Sequence, residues 1–342
     1  MNRKPQAPAA GTAATTGLSR RTLVAAAAAA PFAAPAIVRA QSGGDRWPSR
    51  QVTIISPYNP GGTNDTVARL AAERLQKVLG QPFVVENRPG AAGLVGTQGV
   101  IRAKPDGYTL LAGNNGVLVI QSAGRVPPPY DPLTQLTPVV KLVDAAQFIS
   151  ISGELPAKTL GEFIALAKAQ PGKLNYSSSG IGSFGHFLGE YFKMVAGIDI
   201  LHVPAKGSAA ALTEMMAGRI HMMIDPLPLT QITDPRVRVL ATLNSRRFEG
   251  YPQIPTLKEV AGPDMDLNGW FGLAGPAGLP PEVVEKIGAV CRTLPNDPEV
   301  RKTWIGAGVI PSIVEGNAFR EILRSDLART AEIRARAKIV LE

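Results

Sequence analysis

The sequence predicts an α/β protein of two lobes, and three observations carry that expectation. At 342 residues the chain exceeds the ~100–200 residues that a single domain usually spans. From Arg50 onward, short apolar runs alternate with longer segments whose apolar residues recur at helical spacing, the text of strands covered by helices. Finally, the strand-like text has two crossings, near residues 142 and 242, which would let the first and last thirds share one lobe. The expected division is therefore 41–141 with 243–342 in lobe one and 142–242 in lobe two.

Taken in order, residues 1–40 are expected to be an address rather than structure. A basic, polar stretch ends in Ser19-Arg20-Arg21-Thr22-Leu23, an alanine-rich apolar run follows, and Val38-Arg39-Ala40 offers small or tolerated residues for cleavage. This is the pattern of a signal peptide with paired arginines, of the twin-arginine type or an ordinary secretory signal, cut near Ala40 and leaving a periplasmic protein. The apolar run is short for a membrane span and is broken by Pro31 and Pro35.

The first lobe reads as strand 52–56, helix 65–79, strand 82–86, helix 91–103 and strand 108–112, a βαβαβ order that predicts a mostly parallel sheet. Prolines 127, 128, 129 and 132 mark a long connection from 117 to 136. Strand-like text restarts at 139–142 and 147–152. A second α/β unit then runs through helix 159–170, strand 173–177, helix 183–196, strand 200–203, helix 208–217 and strand 220–224, with a return at 237–242. A strand at 267–273 and helices at 281–294, 297–307 and 316–335 complete the chain.

Composition narrows the function classes. The formal net charge is +9, but five of the 36 basic residues lie before residue 41 with no acid beside them. That leaves 31 against 27 acidic residues, a mild +4. With no Lys/Arg run interleaved with aromatics, nucleic acid is not an expected partner. The single cysteine, Cys291, excludes an internal disulfide and a cysteine-based metal cluster. His186, His202 and His221 fall in three separate elements without H-x-x-x-H or H-E-x-x-H spacing, so no metal site is expected. No G-x-S-x-G elbow is present either, and neither a catalytic residue nor a cofactor is expected.

What remains is a set of strand-to-helix turns of unusual composition, placed where α/β sheets gather ligands. After the first strand comes Pro57-Tyr58-Asn59-Pro60-Gly61-Gly62-Thr63-Asn64-Asp65. Here Gly61 and Gly62 would bring amides close to an anion and Thr63 would add a hydroxyl, while Asp65 caps the helix or lines the site. Asn114, in Gly113-Asn114-Asn115-Gly116, supplies a matching polar turn. In the second unit, Ser178, Ser179, Gly180, Gly182, Ser183 and His186 form a donor-rich lip at the head of a helix. The span 180–185 also matches G-x-G-x-x-G, but the acid expected about 20 residues later, at the end of the next strand, is absent. Pro204, Ala205 and Lys206 end another strand. Asp225 ends the one after it, where it would either recognise an ammonium or hydroxyl group or brace its loop.

These segments together resemble the substrate-binding proteins of tripartite tricarboxylate transporters, the Bug-type receptors, from about Arg46 nearly to the C-terminus. The blocks that carry the likeness are Pro60-Gly61-Gly62-Thr63-Asn64-Asp65, Val85-Glu86-Asn87-Arg88-Pro89-Gly90-Ala91-Ala92-Gly93, Lys104-Pro105-Asp106-Gly107-Tyr108-Thr109-Leu110, Gly180-Ile181-Gly182-Ser183 with His186, His202-Val203-Pro204, Ile254-Pro255-Thr256 and Trp270-Phe271-Gly272. The resemblance implies a type II-like periplasmic binding protein fold with a hinged cleft. It implies a small carboxylate ligand held by loop amides, hydroxyls and ordered water, and membrane transporter subunits as partners. A monomer is expected. Three positions depart from the family's usual text: Ala205 stands where Tyr is common, Ala217 where Gly is, and His221 where Asp is. The other readings to test are an exported nucleotide-dependent oxidoreductase and a ligand sensor signalling to a membrane partner.

Overall fold

Two mixed sheets, each flanked by helices, organise the computed structural model, which describes residues 47–124, 126–261, 265 and 267–341. The expected signal segment and its cleavage point lie outside the described residues. The chain begins with β1 (Val52–Ser56), α1 (Thr63–Leu79), β2 (Phe83–Asn87), α2 (Leu94–Ile101) and β3 (Thr109–Asn114). A π-helical turn (Gly116–Ile120) runs into α3 (Gln121–Ala123), and α4 (Pro132–Gln135) leads into β4 (Leu136–Ala145). The second sheet is built from β5 (Phe148–Ser152), β6 (Asn175–Ser178), β7 (Leu201–Pro204), β8 (Met222–Asp225) and β9 (Val237–Thr242). Its helices are α5 (Leu160–Ala169), α6 (Phe184–Ala196) and α7 (Ser208–Met216). After α8 (Leu257–Ala261), the chain returns through β10 (Gly269–Pro276), α9 (Pro281–Cys291), α10 (Pro298–Gly306), β11 (Val309–Glu315) and α11 (Gly316–Ala337).

The first sheet has the order β11-β4-β10-β3-β1-β2 and the second β7-β6-β8-β5-β9. Only β1 with β2 and β3, and β6 with β7 and β8, pair in parallel; β4, β5, β9, β10 and β11 make antiparallel ladders. The expectation of a mostly parallel sheet is corrected accordingly. Long strands buried on both faces, such as β10 with all eight residues buried, read as continuous apolar text whichever way they pair. Two further corrections concern missed elements. Val117–Ile120 was expected in a connection but is helical, because four consecutive apolar side chains pack fully buried there. Pro311 obscured β11, which pairs with β4 through an irregularity between Pro311 and Val314.

Alternation along β1 sends Val52 and Ile54 to one face and Ile55 to the other. On the first face they meet Val67, Ala71 and Leu75 of α1, spaced to form one helical stripe, together with Ile287 and Val290 of α9. On the second face, Ile55 and Leu111 continue through Val117–Ile120 to Tyr176, Phe187 and Phe192 under the second sheet. α1 stops at Gly80, whose left-handed backbone (φ 73°) returns its amide to the Gln76 carbonyl. Because β1, β2 and β3 are parallel and in register, their carboxyl ends open on one edge, and those of β6, β7 and β8 do the same in the second sheet. The chain passes between the sheets after Ala145 and again after Thr242, and the two open edges face each other.

Candidate functional site: a crevice between two uncapped helix starts

The facing edges enclose a narrow crevice. Asn59 Nδ2, after β1, donates to the Lys206 carbonyl after β7 at 2.6 Å, and a Cβ placed on Gly62 would lie 4.0 Å from Ser208 Cβ. Gly62 precedes α1 and Gly207 precedes α7, and neither helix start receives a side-chain cap. Two sets of first-turn amides, the positive ends of two helix dipoles, therefore converge on one space.

Among the sequence-predicted residues, Tyr58, Asn59, Gly62, Thr63, Asp65, Asn114, Ser179 and Asp225 line this crevice. Thr63 is buried and its hydroxyl has no protein partner; the same holds for Asn64 Oδ1. Tyr58 donates its hydroxyl to Asn114 Oδ1 at 3.1 Å, and that oxygen also accepts the Val117 amide. Among the described residues no Lys, Arg or His lines the crevice.

Asp65 braces the loop from below. Its carboxylate accepts Arg69 Nε and a second Arg69 nitrogen, Asn87 Nδ2 and the Gly61 amide, at 2.9 to 3.2 Å. Burial would raise this carboxyl, but those donors outweigh it and hold it below the usual carboxylate range. Gly61 thus spends its amide on Asp65 and lies off the crevice wall, with a left-handed φ of 86° that suits glycine. Asp225 likewise has both oxygens engaged, with Ser208 Oγ at 2.6 Å and the Leu227 amide at 2.9 Å. Burial pushes its carboxyl up against the pull of those two donors.

On the second sheet's edge, Gly180 and Ala205 line a neighbouring cavity instead, while Ser178, Gly182, Ser183, His186 and Pro204 line neither. They shape the lip from behind. Ser183 Oγ caps α6 by accepting the His186 amide, and the Gly182 amide donates to His186 Nδ1 at 3.1 Å. Ser178 Oγ meets His202 Nε2 at 2.8 Å and accepts the Gly180 amide. His186 stacks on His202 with centroids 3.9 Å apart, and Tyr176 stacks on the far face of His202 at 4.8 Å.

That stack predicts an acid sensitivity. Burial first, then the charges of His186 and Lys193, push the His202 imidazole down to about 3. Below the ordinary value near 6.5, the unfolded chain binds a proton that the folded chain refuses. Stability is therefore lost as pH falls from 6.5 toward 3 and is unaffected above that window. His202→Gln is expected to flatten the fall of the urea midpoint between pH 6 and 4, with a residue of slope left by His221, whose burial shifts it the same way. A midpoint–pH curve identical to that of the parent would remove His202 from this role.

Sequence reasoning missed Asn115, Ala145, Gln147, Phe184, Ser208 and Trp270 of the crevice wall. Ser208 carries the same signal as Thr63, a polar residue opening a helix after glycine. Gln147 follows β4, and Trp270 lies within β10. Trp270 is held by Asn115 Oδ1 at its amide and by Asp326 at its indole nitrogen, 2.7 Å away.

Residues 67–338 match the profile of the tripartite tricarboxylate transporter family receptor. Protein BugT of Bordetella pertussis is 31% identical over 305 residues, covering 88% of this chain and 94% of BugT. The solved structure of the periplasmic binding protein BugD superposes with a TM-score of 0.82 at 28% identity, covering 86% of this chain and 99% of its own. Rpa4515 of R. palustris, solved with adipate, gives a TM-score of 0.82 at 31% identity over 86% of this chain and 99% of that one.

Proposed function

Since this chain belongs to the tripartite tricarboxylate transporter receptor family, we infer that its crevice captures one small organic acid outside the cytoplasm and presents it to membrane transporter subunits of that type. It is a solute-binding receptor with the periplasmic binding protein fold, not an enzyme, and we read the G-x-G-x-x-G match at 180–185 as a structural turn. That loop is folded around His186, whose ring takes the Gly182 amide. The adipate held by Rpa4515 supports a carboxylate as the ligand class.

One observation carries the reading: the Thr63 hydroxyl is buried without a partner between two uncapped helix starts, in a crevice with no basic side chain. A buried hydroxyl left unpaired costs about 1–3 kcal/mol, which a ligand oxygen would recover. Fixed amide dipoles can then do the work of water around a carboxylate without a salt bridge. The lobes would be 41–141 with 243–342, and 142–242, closing about the two crossings. The chain is proposed to act as a monomer after loss of a signal segment near Ala40. Among the described residues, no helix is long and apolar enough to cross a membrane.

The test is calorimetric titration of protein stripped of retained ligand by unfolding and refolding, against mono-, di- and tricarboxylates, amino acids and aromatic acids. Saturable heat from at least one organic acid is expected. No heat from any of them at high concentration would overturn the reading.

A further inference from the structure

The crevice is the smaller of two adjoining spaces. It offers about 60 Å³, whereas the neighbouring cavity offers about 340 Å³, and the two share Tyr58, Asn59 and Ser179 as common walls. A water needs about 10–15 Å³ of such space, so the crevice has room for a carboxyl group and a few bridging waters. The larger space falls within the ~300–1,000 Å³ usual for small-molecule sites.

The two spaces differ in chemistry. The crevice wall mixes Asn, Thr, Ser, Gln and Asp side chains with the rings of Tyr58, Phe184, Trp270 and Phe271, whereas beyond the shared walls and Lys206 the larger cavity is lined by Pro57, Pro89, Ala91, Ala92 and Ala205 with the backbone of four glycines. Its room comes from small residues. A Cβ on Gly180 would come within 3.3 Å of Ala92 Cβ and 3.5 Å of the Ala205 carbonyl oxygen, so the edges of the two sheets approach here as bare backbone. The wall from Gly90 to Gly93 holds four consecutive positive φ angles, two of them at Ala91 (46°) and Ala92 (51°). Left-handed alanine is strained, and such strain concentrates at ligand sites.

Charge narrows the occupant. Among the described residues the crevice is lined by Asp65 and Asp225 and by no cation, and the only basic side chain on the larger cavity belongs to Lys206, which is exposed. A second or third carboxylate buried here would meet no counter-charge, a cost that neutral donors offset for one group far more readily than for three.

We propose that the larger cavity holds the ligand's body, and that this receptor selects acids with a single buried carboxylate and an uncharged apolar body, an aryl ring or a chain of about five carbons. The carboxylate lies at the Gly62–Asn64 helix start, and the body lies between Ala92 and Ala205. This rests on the carboxylate-receptor reading above.

Refolded protein titrated with propionate, hexanoate, phenylacetate, malate and citrate tests it. Hexanoate and phenylacetate are expected to bind at least about tenfold tighter than propionate and citrate, because each buried methylene adds severalfold in affinity. Ala205→Leu fills the cavity and is expected to cost hexanoate and phenylacetate about tenfold or more while leaving propionate within about threefold. Ala205→Ser, which keeps the space, should retain the parent ranking, and thermal melts of both variants confirm folding. Should Ala205→Leu be unfolded, Ala205→Val is expected to give the same ranking change in smaller degree. An unchanged ranking in Ala205→Leu, or tighter binding of malate or citrate than of either apolar-bodied acid, overturns this proposal while the receptor reading stands. Silence from all five acids, in a protein that also ignores the wider panel, overturns both.

Discussion

Thr63→Val is expected to weaken binding of the acid ligand by about 10- to 100-fold while leaving the thermal midpoint unchanged or slightly higher. The two side chains have the same shape, so the substitution removes a hydroxyl and adds no bulk. In the free protein that hydroxyl is buried and unpaired, and replacing it with a methyl group relieves a desolvation cost instead of breaking a bond. On the proposed reading the hydroxyl donates to a charged oxygen of the bound acid, a bond that contributes about 1.5–3 kcal/mol, and the valine offers nothing in its place. Affinity and stability should therefore move independently, or in opposite directions. Calorimetry beside a thermal melt reads both, and a variant with parental affinity would place the carboxylate elsewhere in the crevice.

The pairing of a Thr63 whose hydroxyl has no protein partner with an Asp65 whose carboxylate is engaged by Arg69, Asn87 and Gly61 shows what the sequence can and cannot say. Period and punctuation revealed α1, α6 and α7 because each has an apolar stripe and a glycine or hydroxyl at its start. The turns after β1, β6 and β7 were legible as candidate ligand loops for the same local reason. The partners of those turns were not legible, because they depend on contacts across the fold. Asp65 is claimed by Arg69 and Asn87, 22 residues away, and Asp225 by Ser208. Trp270 reaches the crevice only because β10 inserts antiparallel between β3 and β4, an arrangement its own unbroken apolar text does not declare. His186 and His202 looked like isolated side chains in separate elements; register between β6 and β7 sets Tyr176 beside His202, and α6, packed on the same sheet, stacks His186 on that imidazole.

The adjacent glycines separate function from folding most sharply, because their neighbours in sequence are nearly the same and their geometries are opposite. Gly62 has φ −85° and ψ 168°, extended backbone open to any residue, and it lines the crevice. A valine there would project its methyls into the 4.0 Å gap toward Ser208, occupying the carboxylate's place and holding the two edges apart. Gly62→Val is expected to reduce affinity by at least about 100-fold. Its cost in stability should stay near 1 kcal/mol, since glycine at an uncapped helix start is only modestly better than an aliphatic residue. Gly61 lies at φ 86°, where an L residue costs about 1–2 kcal/mol and a β-branched one more, but its Cβ would find no atom closer than Ala209 Cβ at 3.9 Å. Gly61→Val should accordingly lower the urea midpoint more than Gly62→Val does, and lower affinity less. If the two variants instead lose affinity equally, the amide that Asp65 holds must be released to the ligand on closure. If Gly62→Val binds as the parent does, the carboxylate does not approach the start of α1 at all.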